Sequence, residues 1–244
     1  MEHAANSGVN LLLKALLKDC RSLRKNLERV TYPLGYVVAL QNRPLTHVYF
    51  PTGGSVLSVL LQLKDGGTAE AMTVSKEGMI GLPIWLGTEK SLSQIVQQGP
   101  GELLRISARA FCRGIEGSKR ATALLKHFTA YSLRFGYQTA VCNAHHSVEQ
   151  RMCRWLLITA DRLEASKIRL SQALLAYMLG ARRQSVGAVA AKLQDDALIS
   201  YRRAHIEIAD RLELEKRSCE CYHALRQAYG ELVGALLDGR DSSA

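Results

Sequence analysis

No apolar run in the chain approaches the roughly 20 residues that a membrane-spanning helix needs, so no membrane partner is expected. Met1 to Asn10 shows no basic-then-apolar pattern, and without an export signal the expected location is the cytoplasm. Cysteine is present but ungrouped. Cys20, Cys112, Cys142, Cys153, Cys219 and Cys221 include no C-x-x-C pair of the kind that holds zinc or exchanges disulfides, so buried free thiols and no metal site are expected. A cupin-like metal enzyme would need clustered histidines and a carboxylate on neighbouring strands. Only His47 falls in the strand-patterned region, so neither enzyme activity nor a catalytic residue is expected.

What is present is enough apolar residue to bury a core, 47% of 244, and a net charge of +10. The first makes disorder a poor default. The second favours a polyanionic partner, a nucleic acid or an anionic membrane surface.

Along the chain the hydrophobic period changes. Residues 10–29 set Leu12, Leu13, Leu16, Leu23 and Leu27 near one face at helical spacing, which suggests a docking helix or two with a basic solvated face. From Thr31 to about Arg109 short alternating runs are broken by Gly and Pro. "HVYFPTGGSVLSVLLQLKDGGTAEAMTV" contains strand-like segments around a turn where Asp65, Gly66 and Gly67 are expected to supply positive φ, and "GPGELLRIS" adds a further turn and strand. Strands at this spacing imply an antiparallel sandwich or roll, whose interior is either core or a small-molecule site.

Lys119 to about His146 reads as one long helix. Leu124, Phe128, Tyr131, Phe135, Gln138 and Cys142 follow alternating steps of four and three, a seam that packs on its own domain or pairs with a second copy. Pairing is favoured, which makes these six the expected dimer interface. Ser147 and Gln150 then form an S-x-x-Q capping box that should start a new helix. A final amphipathic helix is expected from about Leu212.

Residues 171–200 hold a helix of about eight residues, a turn at Gly180 and a second helix of about a dozen, the spacing of a helix-turn-helix. Leu174, Leu175 and Met178 can meet Val186, Val189, Ala190 and Leu193, with Ala176 and Gly187 allowing close approach. The second helix then presents Arg182, Arg183, Gln184 and Ser185 at its positive end. In a major groove Arg can donate to both O6 and N7 of guanine, and Gln can bond N6 and N7 of adenine. Arg182 and Ser185 suit phosphate oxygens. "ISYRRAHIEIAD" follows as two short strands, a wing that would lay Arg202 and Arg203 along the backbone. From Arg151 to Arg203 there are ten Lys or Arg against four Asp or Glu, so basicity gathers where the reading head should lie.

Nearly the whole chain resembles the Crp/Fnr family of bacterial transcription regulators, through "HVYFPTGGSVLSVL", "EGMIGLP", "NAHHSVEQRMCRWLL", the helix-turn-helix and "DRLELEKRSCECY". The resemblance implies an α+β architecture: a jelly-roll-like antiparallel β-roll sensor, a long dimerisation helix, and a winged helix-turn-helix that binds palindromic DNA and contacts RNA polymerase. The expected units are residues 1–118, 119–146 and 147–244.

Departures from the family bear on the ligand. Cyclic-nucleotide-binding relatives hold the ribose with a Gly-Glu pair and the cyclic phosphate with an Arg. Here Leu82 and Pro83 stand near the acidic position, and Leu92 and Ser93 near the basic one. Lys90 lacks the guanidinium fork, so cAMP is not expected. The iron-sulfur branch needs grouped N-terminal cysteines, and Cys20 stands alone there. The haem branch uses a sensor His, and His47, His127, His145 and His146 carry no pattern that selects one. No cofactor is expected. In the reading head Arg183 matches the base-reading Arg, whereas Gln184 replaces Glu and Ala188 replaces a second base-contacting Arg. Ala204 replaces the usual wing-tip Gly, for which a longer turn is expected.

The expected function is a homodimeric, sequence-specific DNA-binding transcription regulator under allosteric control by an unidentified small-molecule effector in the roll. The rival is a ligand-binding adaptor whose helical tail contacts protein rather than DNA.

Overall fold

Asn10 anchors the start of the fold with one side chain. Its Oδ1 accepts the Leu13 amide at 2.8 Å and caps α1 (Leu11–Leu16), while its Nδ2 donates to the carbonyls of Pro51 and Gly78 at 3.0 and 2.8 Å. The structure, a computed structural model, describes residues 8–99 and 101–238. The far ends of the expected outer units, and Pro100 of the turn expected before Glu102, lie outside the described residues. α1 buries Leu11, Leu12, Leu13, Ala15 and Leu16, and a short 3-10 helix at Arg21–Asn26 buries Leu23, so the leucine face does dock.

Seven strands follow: β1 (Glu28–Thr31), β2 (Val37–Ala39), β3 (His47–Thr52), β4 (Leu57–Gln62), β5 (Thr68–Val74), β6 (Gln94–Gln97) and β7 (Glu102–Ser107), with the short α2 (Leu82–Trp85) between β5 and β6. They form two antiparallel sheets, β1-β7-β3 and β2-β6-β4-β5. This is the expected roll. The β4–β5 turn differs in detail from the sequence reading. Only Gly66 adopts positive φ, at 90°, while the Asp65 carboxylate accepts the Gly67 amide at 2.9 Å and so turns the chain without a second left-handed residue.

After α3 (Ala108–Ile115) comes α4 (Lys119–His145), 27 residues capped by Ser118 Oγ on the Ala121 amide. It lies so close to the roll that a Cβ at Gly78 would clash with the Phe128 ring, so only glycine fits there. α5 (Val148–Leu163) begins at the expected capping box. Ser147 Oγ accepts the Gln150 amide and Gln150 Oε1 accepts the Ser147 amide. β8 (Lys167–Arg169), α6 (Gln172–Leu179), α7 (Arg183–Asp195), β9 (Ile199–Arg202) and β10 (His205–Ile208) follow, the strands forming a sheet of order β8-β10-β9. Two helices close the chain where one was expected: α8 (Arg211–Arg217) and α9 (Cys221–Asp238). Ser218 breaks them, extended at ψ 162° and bonded through its hydroxyl to the Glu215 carbonyl.

That last helix corrects the reading of the seam. Leu124, Phe128, Tyr131, Phe135 and Cys142 are buried within their own chain, and Gln138 is half-buried with its Nε2 donating to Cys221 Sγ at the start of α9. α9 lies along α4, where Arg134 pairs with Glu231 at 2.9 Å. The six seam residues therefore face the roll and α9, not a second copy. The four-three spacing marks a buried stripe but cannot say which partner buries it.

Candidate nucleic-acid interface

Local sequence explains the form of the helix pair. Ser171 caps α6 by accepting the Leu174 amide. Gly180 ends α6 in the left-handed region at φ 55°, where a Cβ would also press on Ala69 of β5 at 3.1 Å. Arg151 of α5 donates to the Leu179 carbonyl at 2.8 Å, which satisfies one of the acceptors left open at that end. Leu175, Met178, Val186, Ala190 and Leu193 are buried between the helices, with Leu174 and Val189 packed at the edge. Gly187 is not the close-approach position that the sequence suggested. A Cβ there would meet only Gln172 Oε1 at 3.9 Å, an ordinary contact.

Arg182 is the extended N-cap of α7, and Arg182, Arg183, Gln184 and Ser185 are all exposed at its start. No side chain caps this helix end. Its first-turn amides and the positive end of the helix dipole thus face outward with two guanidiniums, an arrangement that favours an anion. Ala188 is exposed one turn further along.

The wing is a two-residue hairpin rather than the longer turn expected. His205 pairs with Arg202, and Arg203 and Ala204 between them both adopt positive φ, at 48° and 63°. A primed turn matches the twist of its strands, and the hairpin takes that form even without glycine. Arg202 and Arg203 are exposed at its tip. Burial pushes the Tyr201 phenol up while the nearby charge of Arg183 opposes the shift, which puts the wing and the head of α7 within electrostatic reach of each other.

Two other cations near this face, Lys192 and Arg217, are paired with carboxylates. Lys192 pairs with Glu149 at 2.7 Å, and Arg217 pairs with both Glu149 and Asp196, at 3.3 and 2.6 Å. The Lys192 ammonium, aided by Arg217, holds the Glu149 carboxyl below its ordinary range. Among the described residues no carboxylate pairs with Arg182, Arg183, Arg202 or Arg203. Their charge stays available to an outside partner.

The roll also contains a cavity of about 260 Å³ against α4. Val59, Met72, Ile95 and Phe128 line it, as do Leu82, Pro83, Leu92 and Ser93, the four residues that the family resemblance set near the ribose- and phosphate-binding positions. Among the described lining residues none is charged. Lys90 lies outside it and is exposed. His47 is on β3, and burial and Arg105 hold its imidazole below the ordinary range. His127 and His145 are on α4 and His146 is its C-cap.

The sequence left open whether the roll's interior is core or a small-molecule site, and the cavity answers to the second. The sequence reading missed two features. One is an exposed apolar stripe on α4, Leu133, Tyr137 and Val141, at 51, 68 and 53% exposure. The other is the gathering of Cys142, His146, Cys219 and Cys221, against the expectation of no metal-ligand group. The signals were a C-x-C pair and a C-x-x-x-H pair, overlooked because only C-x-x-C was sought.

The architecture is therefore a β-roll joined through a long helix to a winged helix-turn-helix with a bare basic tip. Residues 150–217 match the Crp-like helix-turn-helix domain. No curated protein matches the sequence. Solved structures match its fold: FixK2 from Bradyrhizobium japonicum at 16% identity and TM-score 0.68, over 79% of this chain and 98% of that one. The c-di-GMP-responsive global regulator CLP from Xanthomonas campestris matches at 20% identity and TM-score 0.65, over 82% and 98%. A CRP-family transcriptional regulator from Thermus thermophilus matches at 16% and 0.65, over 78% and 96%. Residues 150–217 thus form a Crp-like helix-turn-helix domain, and the chain as a whole shares the fold of these regulators. Among the described residues no helix is long and apolar enough to cross a membrane.

Proposed function

We propose that two copies of the protein bind an inverted-repeat DNA site, each inserting the start of α7 into the major groove. The exposed, uncapped and unpaired group Arg182 to Ser185 is the observation that carries this reading. Arg183 reads guanine and Gln184 adenine, while Arg182 and Ser185 hold phosphates and Arg202 and Arg203 follow the backbone from the wing. Two such heads in a two-fold dimer reach half-sites roughly 34 Å apart.

The dimer face in this reading is the stripe Leu133, Tyr137 and Val141, since the earlier seam is occupied by α9. An apolar strip this exposed on a long helix is a natural contact between copies. RNA polymerase contact, which the family resemblance implies, belongs to the same reading.

The effector is an uncharged, largely apolar small molecule bound in the cavity against α4. The phosphates of cAMP, or of the c-di-GMP to which CLP responds, would find no charged partner there. A ligand touching both Phe128 and the roll acts on the helix that links sensor to reading head, provided it binds two arrangements unequally. A gel shift of the full chain on random duplexes, repeated across a salt series, tests the function. Binding that weakens steeply with salt is expected, and no shift at any salt concentration would leave the adaptor reading instead.

A further inference from the structure

Two stretches far apart in sequence bring four metal-ligating side chains to one point. Cys142 lies in the last turn of α4 and His146 caps that helix, Cys219 sits in the α8–α9 link, and Cys221 opens α9. The ligand atoms all lie within 4.8 Å of one another. Cys142 Sγ is 3.5 Å from Cys219 Sγ, and Cys221 Sγ is 3.5 Å from His146 Nδ1. A tetrahedral zinc ion with Zn–S of about 2.3 Å and Zn–N of about 2.0 to 2.1 Å puts its ligand atoms roughly 3.6 to 3.8 Å apart. The set is already close to that shape.

We propose that Cys142, His146, Cys219 and Cys221 form a Cys₃His site for one Zn²⁺ ion that fastens the start of α9 to the end of α4. Soft thiolates with one imidazole in tetrahedral array select zinc among the common divalent ions, and four protein ligands make a closed, structural site. A multi-iron cluster distributes its ligands over several metal atoms, whereas these four converge on one point.

The surroundings suit a metal centre better than packed thiols. His146 Nε2 lies 3.3 Å from Glu220 Oε2, so a carboxylate orients the imidazole and leaves Nδ1 toward the sulfurs, the carboxylate–histidine–zinc arrangement. Gln138 Nε2 donates to Cys221 Sγ at 3.0 Å, a bond that strengthens when the sulfur is a thiolate. The three cysteines cluster apart from the main apolar core. Three thiolates, one neutral imidazole and Zn²⁺ sum to one negative charge, and the buried Arg154, whose Nε has no hydrogen-bond partner, acts on Cys142 and on Glu70 without pairing with either. Zinc binding forms three Zn–S bonds and one Zn–N bond and releases the three thiol protons to solvent.

The test uses the full chain isolated in reducing buffer. Metal analysis should find one zinc per chain. After chelation, titration with Co²⁺ should reach one equivalent, with the visible absorption of tetrahedral cobalt and near-ultraviolet thiolate-to-cobalt bands, both abolished by one equivalent of Zn²⁺. Cys142→Ser and Cys219→Ser should lose the bands, Cys112→Ser should keep them, and Glu220→Gln should weaken Zn²⁺ binding by about 10- to 100-fold. Wild-type protein that isolates without zinc and gives no tetrahedral cobalt spectrum overturns the proposal, and that reading needs no variant to fold. A Cys142–Cys219 disulfide in place of metal, or bands that survive Cys219→Ser, overturns it equally.

Discussion

The guanidinium of Arg162 on α5 lies 3.6 Å from the carboxylate of Glu77 in the roll, and both side chains are out of solvent. The same guanidinium donates to the Tyr131 hydroxyl on α4 and stands 3.8 Å from the ring centroid of Tyr229 on α9. One side chain thus ties the C-terminal part to the roll, the long helix and the last helix. Removing either member of the ion pair strands the other charge in the interior. Arg162→Ala and Glu77→Ala should each cost about 3 to 5 kcal/mol. The double variant should cost less than the sum, measured by urea unfolding in a double-mutant cycle.

A second tie is sensitive to pH. Glu70 of β5 accepts from Ser58 and from the Trp155 indole of α5 at 2.7 Å, with Gln98 at 3.3 Å. Burial raises its carboxyl above the ordinary value of 4.5, with the Ser58 and Trp155 hydrogen bonds and the Arg154 charge opposing. An acid whose folded pKa is raised holds its proton more tightly when folded. Its contribution is complete below the unfolded value and is lost as pH rises through the raised folded one. Thermal unfolding of the wild type from about pH 4 to pH 8 should include that decline, and Glu70→Gln should lack it. Identical pH profiles would contradict the assignment.

The two faces of α4 should respond differently. Tyr137→Asp and Leu133→Asp alter exposed positions, so light scattering should show monomer with little change in unfolding midpoint. Phe135→Ala, at 2% exposure, should instead lose about 3 to 5 kcal/mol of stability. A dimer that survives both Asp variants would move the interface elsewhere.

The arginines of the reading head and wing should separate by kind. Arg183→Ala should cost about 1 to 3 kcal/mol on a specific site and relax preference at one base pair. Arg202→Ala should weaken all duplexes alike and reduce the slope of log K against log salt by about one. A sequence-selective loss in Arg202→Ala would mean that the wing, too, reads bases.

Much of the architecture was legible because it rests on local rules. The Ser147–Gln150 capping box, the Gly180 turn and the two hydrophobic periods each constrain a few neighbouring residues, and α5, the helix pair and the roll appear where those rules put them. The seam from Leu124 to Cys142 was legible as a buried stripe, but its partner was not, since α9 is almost a hundred residues away. The cysteine site failed for the same reason. Cys142 and His146 meet Cys219 and Cys221 only after α9 folds back along α4. The wing turn misled differently. Arg203 and Ala204 carry side chains that disfavour positive φ, yet the β9–β10 register imposes it on both.

Everything functional depends on whether the outward tip of α7 reads duplex sequence. Selecting bound duplexes from a random pool, with wild type and Arg183→Ala side by side, measures that directly. The account predicts that wild type enriches an inverted repeat with a guanine in each half-site, and that the variant loses selection at that base alone. Enrichment of no motif by wild type, or of the same motif by both proteins, would contradict it.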